Sequence, residues 1–188
     1  MSGDPFPDIP VDHDDGLQVR WTVPLDALRL RKALLEEDTL RWFPFSQGKE
    51  LDDAVTCWMS FAQYHCSLTA MLNGKWAGMG VLYPFPYQKM RHQALFYLLV
   101  PEPMRGKKVA THLLRNLMYM GRTRFHLEFI HADVYQGCPI LPLVARAGFT
   151  CCFRQENFIE DQGRRLARHL MQKDLRGIPV EQLARRDG

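Results

Sequence analysis

The chain has 188 residues, 46% of them hydrophobic, which suits one compact domain with a sizeable core. It carries 24 Lys and Arg residues against 21 Asp and Glu residues, and the net charge of +3 argues against a polycation that binds nucleic acid. No apolar stretch reaches the roughly 18 residues of a membrane span, and residues 1–16 are acidic and proline-rich rather than signal-like. We therefore expect a cytoplasmic protein with no membrane partner.

The first half of the chain predicts a strand, two helices and a hairpin. Residues 17–23 alternate apolar and polar side chains as a half-buried strand does, and helices are expected over 24–38 and 50–65. Asn73-Gly74 between two apolar runs is a strong signal for a tight β-hairpin turn. The residues expected on the buried faces of the two helices are Leu25, Leu28, Leu34 and Leu35, and then Leu51, Ala54, Val55, Trp58 and Met59.

The second half predicts a central strand that leads into a helix and then into a parallel neighbouring strand. Residues 94–100 are nearly all apolar, and the helix that follows has Val109, Leu113, Leu117 and Met120 spaced for one face. A strand over 125–134, a short helix over 138–149 and a final hairpin turning at 160–163 complete the chain. This order predicts an α+β fold with an N-terminal arm (1–16), one domain (17–175) and a basic C-terminal tail (176–188).

The cysteine pattern predicts neither a disulfide framework nor a metal site. The sequence contains no C-x-x-C pair, and the number of cysteines is odd. Buried thiols in a reducing cytosol account for this pattern. The cysteines are Cys57, Cys66, Cys138, Cys151 and Cys152.

Three cations stand at the start of the helix that follows the central strand. Arg105, Lys107 and Lys108 flank Gly106, although carboxylates are favoured near the positive end of a helix dipole. A strand end, a basic glycine-containing loop and a helix N-terminus together predict a site for a phosphate, a pyrophosphate or a carboxylate. The spacing matches neither G-x-x-x-x-G-K-[ST] nor G-x-G-x-x-G. A basic helix start that is simply solvated is the alternative.

This loop resembles motif A of the GNAT superfamily, the Gcn5-related N-acetyltransferases, whose signature is [Q/R]-x-x-G-x-[G/A]. Arg105 and Ala110 match the signature, whereas Lys108 stands where the family usually has glycine. "ARAGF" at 145–149 is similar to the family's closing Y-E-K-x-G-F segment. The resemblance is closest to the protein N-terminal-amine acetyltransferases. It implies, over residues 17–175, a mixed sheet of about seven strands with a splayed pair and about four flanking helices.

The resemblance implies transfer of an acetyl group from acetyl-CoA to a primary amine of a protein, a peptide or a small molecule. The pantetheine arm would lie along the end of the central strand, and the pyrophosphate over the amides that open the helix. Lys108 would either have a negative φ and contact a phosphate, or narrow the loop and weaken binding. The residues implied in CoA binding are Leu98, Leu99, Val100, Arg105, Gly106, Lys107, Lys108, Val109, Ala110 and Thr111.

The resemblance also implies roles in the chemical step. The backbone N–H of Val100 would stabilise the thioester oxyanion, and Asp133, in a segment similar to the family's L-E-V, is the candidate base. The tyrosine that often protonates the thiolate falls on Val144, so Tyr135 is our replacement candidate. Cys138 would need a lowered thiol pKa to act as a nucleophile. The further options for the base are His92, Gln93, Glu102, His126, Glu128 and His131.

Two other interpretations stay open at this point. One is a GNAT-like module that binds CoA without efficient turnover, which the missing tyrosine and Lys108 favour. The other is an unrelated α+β domain that binds phosphate. Residues 41–45 and the two helices before the first hairpin would wall the acceptor groove, and neither the acceptor nor the oligomeric state follows from the sequence.

Overall fold

Seven strands form one mixed sheet in the computed structural model, which describes residues 16–184. The strands are β1 Leu17–Trp21, β2 Ser67–Leu72, β3 Lys75–Pro84, β4 Gln93–Leu99, β5 Phe129–Tyr135, β6 Thr150–Asp161 and β7 Arg164–Asp174. Their order across the sheet is β1-β2-β3-β4-β5-β7-β6. The β4–β5 pair is parallel and the other neighbouring pairs are antiparallel. The predicted α+β fold with a mixed seven-stranded sheet is confirmed.

Four longer helices and two single-turn helices flank the sheet within residues 16–184. The helices are α1 Asp26–Leu34, α2 Glu37–Leu40, α3 Lys49–Ala62, α4 Val109–Thr123, α5 Ile140–Arg146 and α6 Val180–Ala184. One face of the sheet packs against α1 and α3, and the opposite face packs against α4 and α5. None of the helices in this part of the chain is long and apolar enough to cross a membrane.

Local sequence signals place the hairpin and two of the helices correctly. Asn73 and Gly74 form the two-residue turn between β2 and β3 with φ of 49° and 73°, the left-handed geometry that this turn requires. Leu51, Val55 and Trp58 are buried on α3 as predicted. The predicted face of α4 is buried as well, since its residues Val109, Leu113, Leu117 and Met120 are each at most 4% exposed.

The prediction for the buried face of the first helix is wrong for three of its four leucines. Leu25 is 59% exposed and Leu28 is 70% exposed, whereas Leu34 is fully buried. The helix turns Asp26 and Leu30 inward instead, and both are 0% exposed. Asp26 accepts hydrogen bonds from two arginines, so the helix presents a carboxylate to the core. Leu35, the third exposed leucine, lies beyond the end of α1, where the predicted 24–38 helix divides into α1 and α2.

The strand predicted over 125–134 begins four residues later than expected. His126 has a φ of 51°, and the N–H of Leu127 donates to the carbonyl of Gly121 at 2.9 Å. These residues close the C-terminus of α4, a common way to satisfy the last carbonyls of a helix. His126 and Glu128 therefore do not lie on β5.

The position of α4 depends on two small residues of β3. A Cβ atom on Gly80 would lie 2.8 Å from Leu117 Cδ1, and one on Gly78 would lie 3.3 Å from Leu113 Cδ1. The missing side chains let α4 pack closely against β3, beside the end of β4. At the other end of the chain, α6 packs against α4 and buries Leu183, which is 4% exposed. The predicted arm (1–16) lies outside the described residues except for Gly16, and the division into arm, domain and tail stays a prediction.

Candidate active site

A gap opens between β4 and β5 toward the edge of the sheet where both strands end. The two strands pair in parallel from their beginnings up to Phe96 and Ala132. Beyond that point β4 stays paired with β3, and β5 stays paired with β7. The two neighbouring strands therefore part from each other, which is the predicted splayed pair.

A cavity of about 400 Å³ occupies the end of this gap. The volume lies within the roughly 300–1,000 Å³ that is typical of small-molecule sites. Its walls come from the two parted strands, the N-terminus of α4, α5 and the segment around α2. Nine predicted CoA-binding residues line it, and Lys107 does not. The nine are Leu98, Leu99, Val100, Arg105, Gly106, Lys108, Val109, Ala110 and Thr111.

Two of the cations near the cavity are held by the protein's own oxygen atoms. Arg105 Nε donates to the carbonyl of Val100 at 3.2 Å, and Arg105 Nη1 lies 3.9 Å from Asp38 Oδ2. Lys107 Nζ donates to the carbonyl of Pro103 at 2.8 Å. These two side chains brace the loop between β4 and α4, so their charges are partly committed before any ligand binds.

Two other cations line the cavity and have no such partner. Lys108 stands directly before α4, and Arg146 is an exposed residue at the end of α5. Within residues 16–184, neither side chain makes a hydrogen bond or an ion pair with another residue. The first turn of α4 also contains no acidic residue. The helix N-terminus and these two cations each add positive charge to the wall of the cavity.

The backbone of Lys108 is left-handed, with φ of 60° and ψ of 0°. The interpretation in which this lysine has a negative φ is therefore wrong. The position keeps the geometry for which glycine is the default residue, although the sequence supplies a lysine. A side chain in this conformation costs about 1–2 kcal/mol.

Asp133, the candidate base, lines the cavity from β5 and forms an ion pair with β7. Arg168 Nε donates to Asp133 Oδ1 at 2.8 Å, and this hydrogen bond raises the pKa of Arg168. The side chains of Asp133 and Arg168 are 13% and 28% exposed. Ala132 and Val134 are buried against the α4 side of the sheet, so Asp133 lies on the face that carries α1 and α3.

Tyr135, the candidate proton donor, is 4% exposed and does not line the cavity. Burial, with a further contribution from the charge of Asp133, raises the pKa of Tyr135 to about 12. Its ring centroid lies 6.2 Å from that of Phe158. Its role in proton transfer stays a prediction.

Among the other options for the base, His92, Gln93 and His131 bind one another. His131 Nε2 donates to Gln93 Oε1 at 2.8 Å, and Gln93 Nε2 donates to His92 Nε2 at 3.1 Å. Burial lowers the pKa of His131. None of these three side chains lines the cavity, and neither do Glu102, His126 and Glu128. Of the proposed bases, Asp133 is therefore the one at the cavity wall.

The cysteines divide into two groups. Burial raises the pKa of both Cys66 and Cys138 to about 11, which does not suit a nucleophilic thiolate at Cys138. Cys57, Cys151 and Cys152 are exposed, so the prediction of buried thiols is wrong for these three. All five are free, and residues 16–184 contain no cluster of three or more His, Cys, Asp or Glu side chains that could hold a metal ion.

A sequence model described as the acetyltransferase (GNAT) family matches residues 32–149. The chain belongs to the GNAT family. The match spans the parted strands, the basic loop and α5, and it confirms the predicted family. No curated protein sequence matches the chain.

Solved GNAT-type structures share the fold at low sequence identity. A putative acetyltransferase, yncA from Salmonella typhimurium with its cofactor acetyl-CoA, superposes with a TM-score of 0.70 at 17% identity, covering 85% of this chain and 94% of that chain. Ribosomal-protein-alanine N-acetyltransferase from Brucella melitensis gives 0.69 at 21% identity, covering 84% and 99%. A putative phosphinothricin N-acetyltransferase gives 0.74 at 16% identity, covering 85% and 98%. At these identities the likeness shows the fold, and a special closeness to N-terminal-amine acetyltransferases stays a prediction.

Tyr97 lies at the candidate site, although no sequence pattern predicted it there. Tyr97 lines the cavity, and its ring lies on the α1–α3 face beside Trp58 and Tyr83. Burial and then the charge of Asp133 raise the pKa of Tyr97. Tyr97 belongs to a nearly all-apolar run, and only the alternation of faces along β4 distinguishes it from its buried neighbours. Val144, on which the resemblance places the family's tyrosine, is fully buried.

Proposed function

We propose that this protein is an N-acetyltransferase that uses acetyl-CoA and a primary amine. The observation that carries the proposal is the gap between β4 and β5, which opens into a cavity at the N-terminus of α4. A strand that leaves its neighbour can offer backbone groups to an extended ligand, and a helix N-terminus attracts its phosphates. The family match and the acetyl-CoA bound by the Salmonella protein support acetyl-CoA as the acyl donor.

The residues around the cavity fit the chemical groups of CoA. The pantetheine arm would bind along Leu98, Leu99 and Val100, and the pyrophosphate would bind the amides of 105–111. Lys108 and Arg146 would supply charge to the phosphates, since both line the cavity without a partner in residues 16–184. A left-handed lysine costs stability, so a contact with ligand gives a physical reason to keep it.

The chemical step joins the amine nitrogen to the thioester carbonyl carbon and breaks the carbon–sulfur bond. We propose that the N–H of Val100 stabilises the oxyanion, because Val100 lines the cavity just beyond β4. Asp133 would accept a proton from the amine, and the leaving thiolate would take a proton from a tyrosine. Tyr97 lines the cavity, whereas Tyr135 is buried and does not line it, and burial raises the pKa of both hydroxyls.

Ala110 provides a direct test of the CoA site. Replacing Ala110, which lines the cavity in the first turn of α4, with leucine should abolish CoA binding without unfolding the protein. Ala145→Leu is the matched control, because Ala145 is exposed on α5 and does not line the cavity. Thermal unfolding measures binding: acetyl-CoA at a hundred times its dissociation constant should stabilise the parent protein by about 2.7 kcal/mol.

Thiol release from acetyl-CoA across a panel of amines tests the enzyme activity. Release that depends on the amine supports an acetyltransferase. Stabilisation without release would support the interpretation as a CoA-binding module, which the valine at position 144 favours. No thermal shift at millimolar acetyl-CoA would contradict both.

A further inference from the structure

The Asp133–Arg168 ion pair stands between the cavity and the β6–β7 hairpin. Asp133 lines the cavity, and Arg168 approaches it from β7 with an Nε–Oδ1 distance of 2.8 Å. Arg168 pairs with Tyr135 in the sheet register, so its side chain lies on the same face of the sheet as Tyr135 and Asp133. Both charged side chains keep some exposure, 13% for Asp133 and 28% for Arg168.

Each partner of this ion pair keeps unused hydrogen-bonding capacity. In the part of the chain that the structure describes, Arg168 donates from Nε alone, and Asp133 accepts at Oδ1 alone. The guanidinium carbon of Arg168 lies 4.7 Å from the centre of the Phe158 ring, which holds the group in place. Two guanidinium nitrogens and one carboxylate oxygen are therefore available side by side to a ligand.

The α2 segment, residues 37–43, is tied to the tip of the β6–β7 hairpin. Arg41 Nη2 donates to Asp161 Oδ2 at 3.0 Å, and Gln162 Nε2 donates to Glu37 Oε1 at 2.8 Å. The two contacts join parts of the chain that are about 120 residues apart. We call these two contacts, which join the α2 segment to the hairpin tip, the bridge.

The α2 segment also contributes to the wall of the cavity. Trp42 of the α2 segment lines the cavity, and its ring lies within 3.5 Å of a Cβ built on Gly137, just beyond β5. The face of the sheet between the cavity and the hairpin tip carries Asp133 and Arg168. A bridge beside the cavity would favour a small acceptor over an extended peptide.

We propose that the acceptor is a free α-amino acid, whose amine binds Asp133 and whose carboxylate binds Arg168. The proposal rests on the acetyltransferase function proposed above. An α-amino acid carries an amine and a carboxylate on one carbon atom, which matches an acidic and a basic side chain in direct contact. A guanidinium is well suited to a carboxylate, since it offers two parallel N–H donors. A peptide N-terminus has a neutral carbonyl at that place and would leave the charge of Arg168 unmatched.

The amino acid reacts through its neutral amine, which forms when the ammonium group loses a proton. The ammonium loses one proton to Asp133, and the neutral nitrogen attacks the thioester carbonyl. The new carbon–nitrogen bond forms, the carbon–sulfur bond breaks, and the second nitrogen proton leaves as the thiolate is protonated. The products are an N-acetyl amino acid, which keeps its carboxylate, and free CoA.

The test compares free amino acids with their C-terminal amides and with short peptides, using the full chain and acetyl-CoA. We expect kcat/KM to be about tenfold or more higher for the free acid than for the amide, because a charge-assisted hydrogen bond is lost with the carboxylate. Arg168→Gln should bring that ratio close to one, and Arg168→Lys should keep part of the preference. Arg165→Gln should keep the full ratio, because Arg165 pairs with Glu160 across the same hairpin at 3.4 Å and away from the cavity.

The outcomes separate this proposal from the proposed function. Thiol release with amides or peptides at least as fast as with free acids overturns the amino-acid acceptor and leaves the acetyltransferase intact. If no amine supports release, thermal unfolding of the CoA-bound protein still decides: stabilisation by free acids but not by amides, lost in Arg168→Gln, supports the site. Equal effects of acid and amide in that measurement overturn it.

Discussion

Lys108 is the residue at which local backbone preference and ligand binding oppose each other. Its φ of 60° suits glycine, and its side chain lines the cavity without a partner in residues 16–184. Sequence comparison alone makes this lysine an anomaly at a glycine position. The geometry gives a different explanation, in which the fold tolerates a strained residue because its ammonium adds charge beside the start of α4.

Replacing Lys108 with glycine should move stability and affinity in opposite directions. Removing the strained side chain should stabilise the free protein by about 1 kcal/mol. Loss of the ammonium should weaken CoA binding about tenfold, since a hydrogen bond to a charged group contributes roughly 1.5–3 kcal/mol. Denaturant unfolding measures the first effect, and titration with CoA at two salt concentrations measures the second, which should shrink at high salt.

Lys107→Gly is the matched control for this pair of effects. Lys107 belongs to the same loop, but its ammonium binds the carbonyl of Pro103 and the residue does not line the cavity. We expect little change in CoA affinity for this variant. Tighter CoA binding by Lys108→Gly would show that the lysine crowds the loop, and would favour the interpretation as a GNAT-like module without efficient turnover.

At the scale of single elements, one buried carboxylate decides which face α1 presents to the core. Asp26 is 0% exposed, and Arg20 binds it through two hydrogen bonds of 2.7 and 2.9 Å. Thr69 Oγ1 and the N–H of Val23 each donate to it at 3.0 Å. The carboxylate is thus well satisfied, and the helix turns toward it rather than toward Leu25 or Leu28.

The pH dependence of stability should report on Asp26. Burial raises the pKa of Asp26, but its hydrogen bonds to Arg20, Val23 and Thr69 and the charge of Arg20 together outweigh burial and lower it. A carboxyl whose pKa is lower in the folded state stabilises the fold above its ordinary pKa near 3.8, and this contribution is lost as the pH falls through the folded value. Asp26→Asn should therefore cost about 3 kcal/mol at pH 7 and much less near pH 2.

Asp52→Asn controls for the loss of a carboxylate in general. Asp52 pairs with Arg31 at 2.8 Å, but both side chains are about half exposed, so the substitution should change stability by less than about 1 kcal/mol. Urea unfolding between pH 2 and pH 7 measures both variants. A cost for Asp26→Asn that does not depend on pH would contradict the ionised, buried state of Asp26.

Some elements of the fold could be predicted from the sequence and others could not. The Asn73-Gly74 turn and the face of α4 follow from local chemistry and periodicity, so they were predictable. The buried face of α1 could not be predicted in this way. Acidic residues are normally expected at the surface, and the hydrogen bond from Thr69, which is distant in sequence, is what helps to satisfy the buried Asp26. The start of β5 was missed for a related reason: apolar Leu127 fits a strand pattern, yet it closes α4.

At the scale of the whole molecule, the residues predicted to bind CoA are close together in sequence, whereas those of the proposed acceptor site are far apart. Residues 98–111 are continuous in sequence, and this one segment supplies ten of the residues that line the cavity. Arg168 reaches Asp133 only through the register of β5 against β7, which no short motif encodes. The bridge between the α2 segment and the hairpin tip depends in the same way on the complete sheet.

The cysteines should also differ in how fast their thiols are alkylated, because they differ in burial. Cys66 and Cys138 have a pKa of about 11 because burial disfavours the thiolate, whereas Cys57, Cys151 and Cys152 are exposed. At pH 8, a thiol with that pKa is ionised roughly two-hundredfold less than one with the ordinary value near 8.5. Iodoacetamide should therefore label the three exposed cysteines first, which peptide mass mapping over time can measure.

Acetyl-CoA should also change the labelling rates of Cys66 and Cys138, the two cysteines expected to react slowly, to different extents. Cys138 lines the cavity, whereas Cys66 belongs to the buried core beside β2. Bound acetyl-CoA should slow the labelling of Cys138 further by covering it, and should affect Cys66 only through the general gain in stability. Because both thiols start from a similar pKa, Cys66 serves as the internal reference within one sample. Equal protection of the two would contradict binding at the cavity, and labelling of Cys138 as fast as Cys151 would contradict its partial burial.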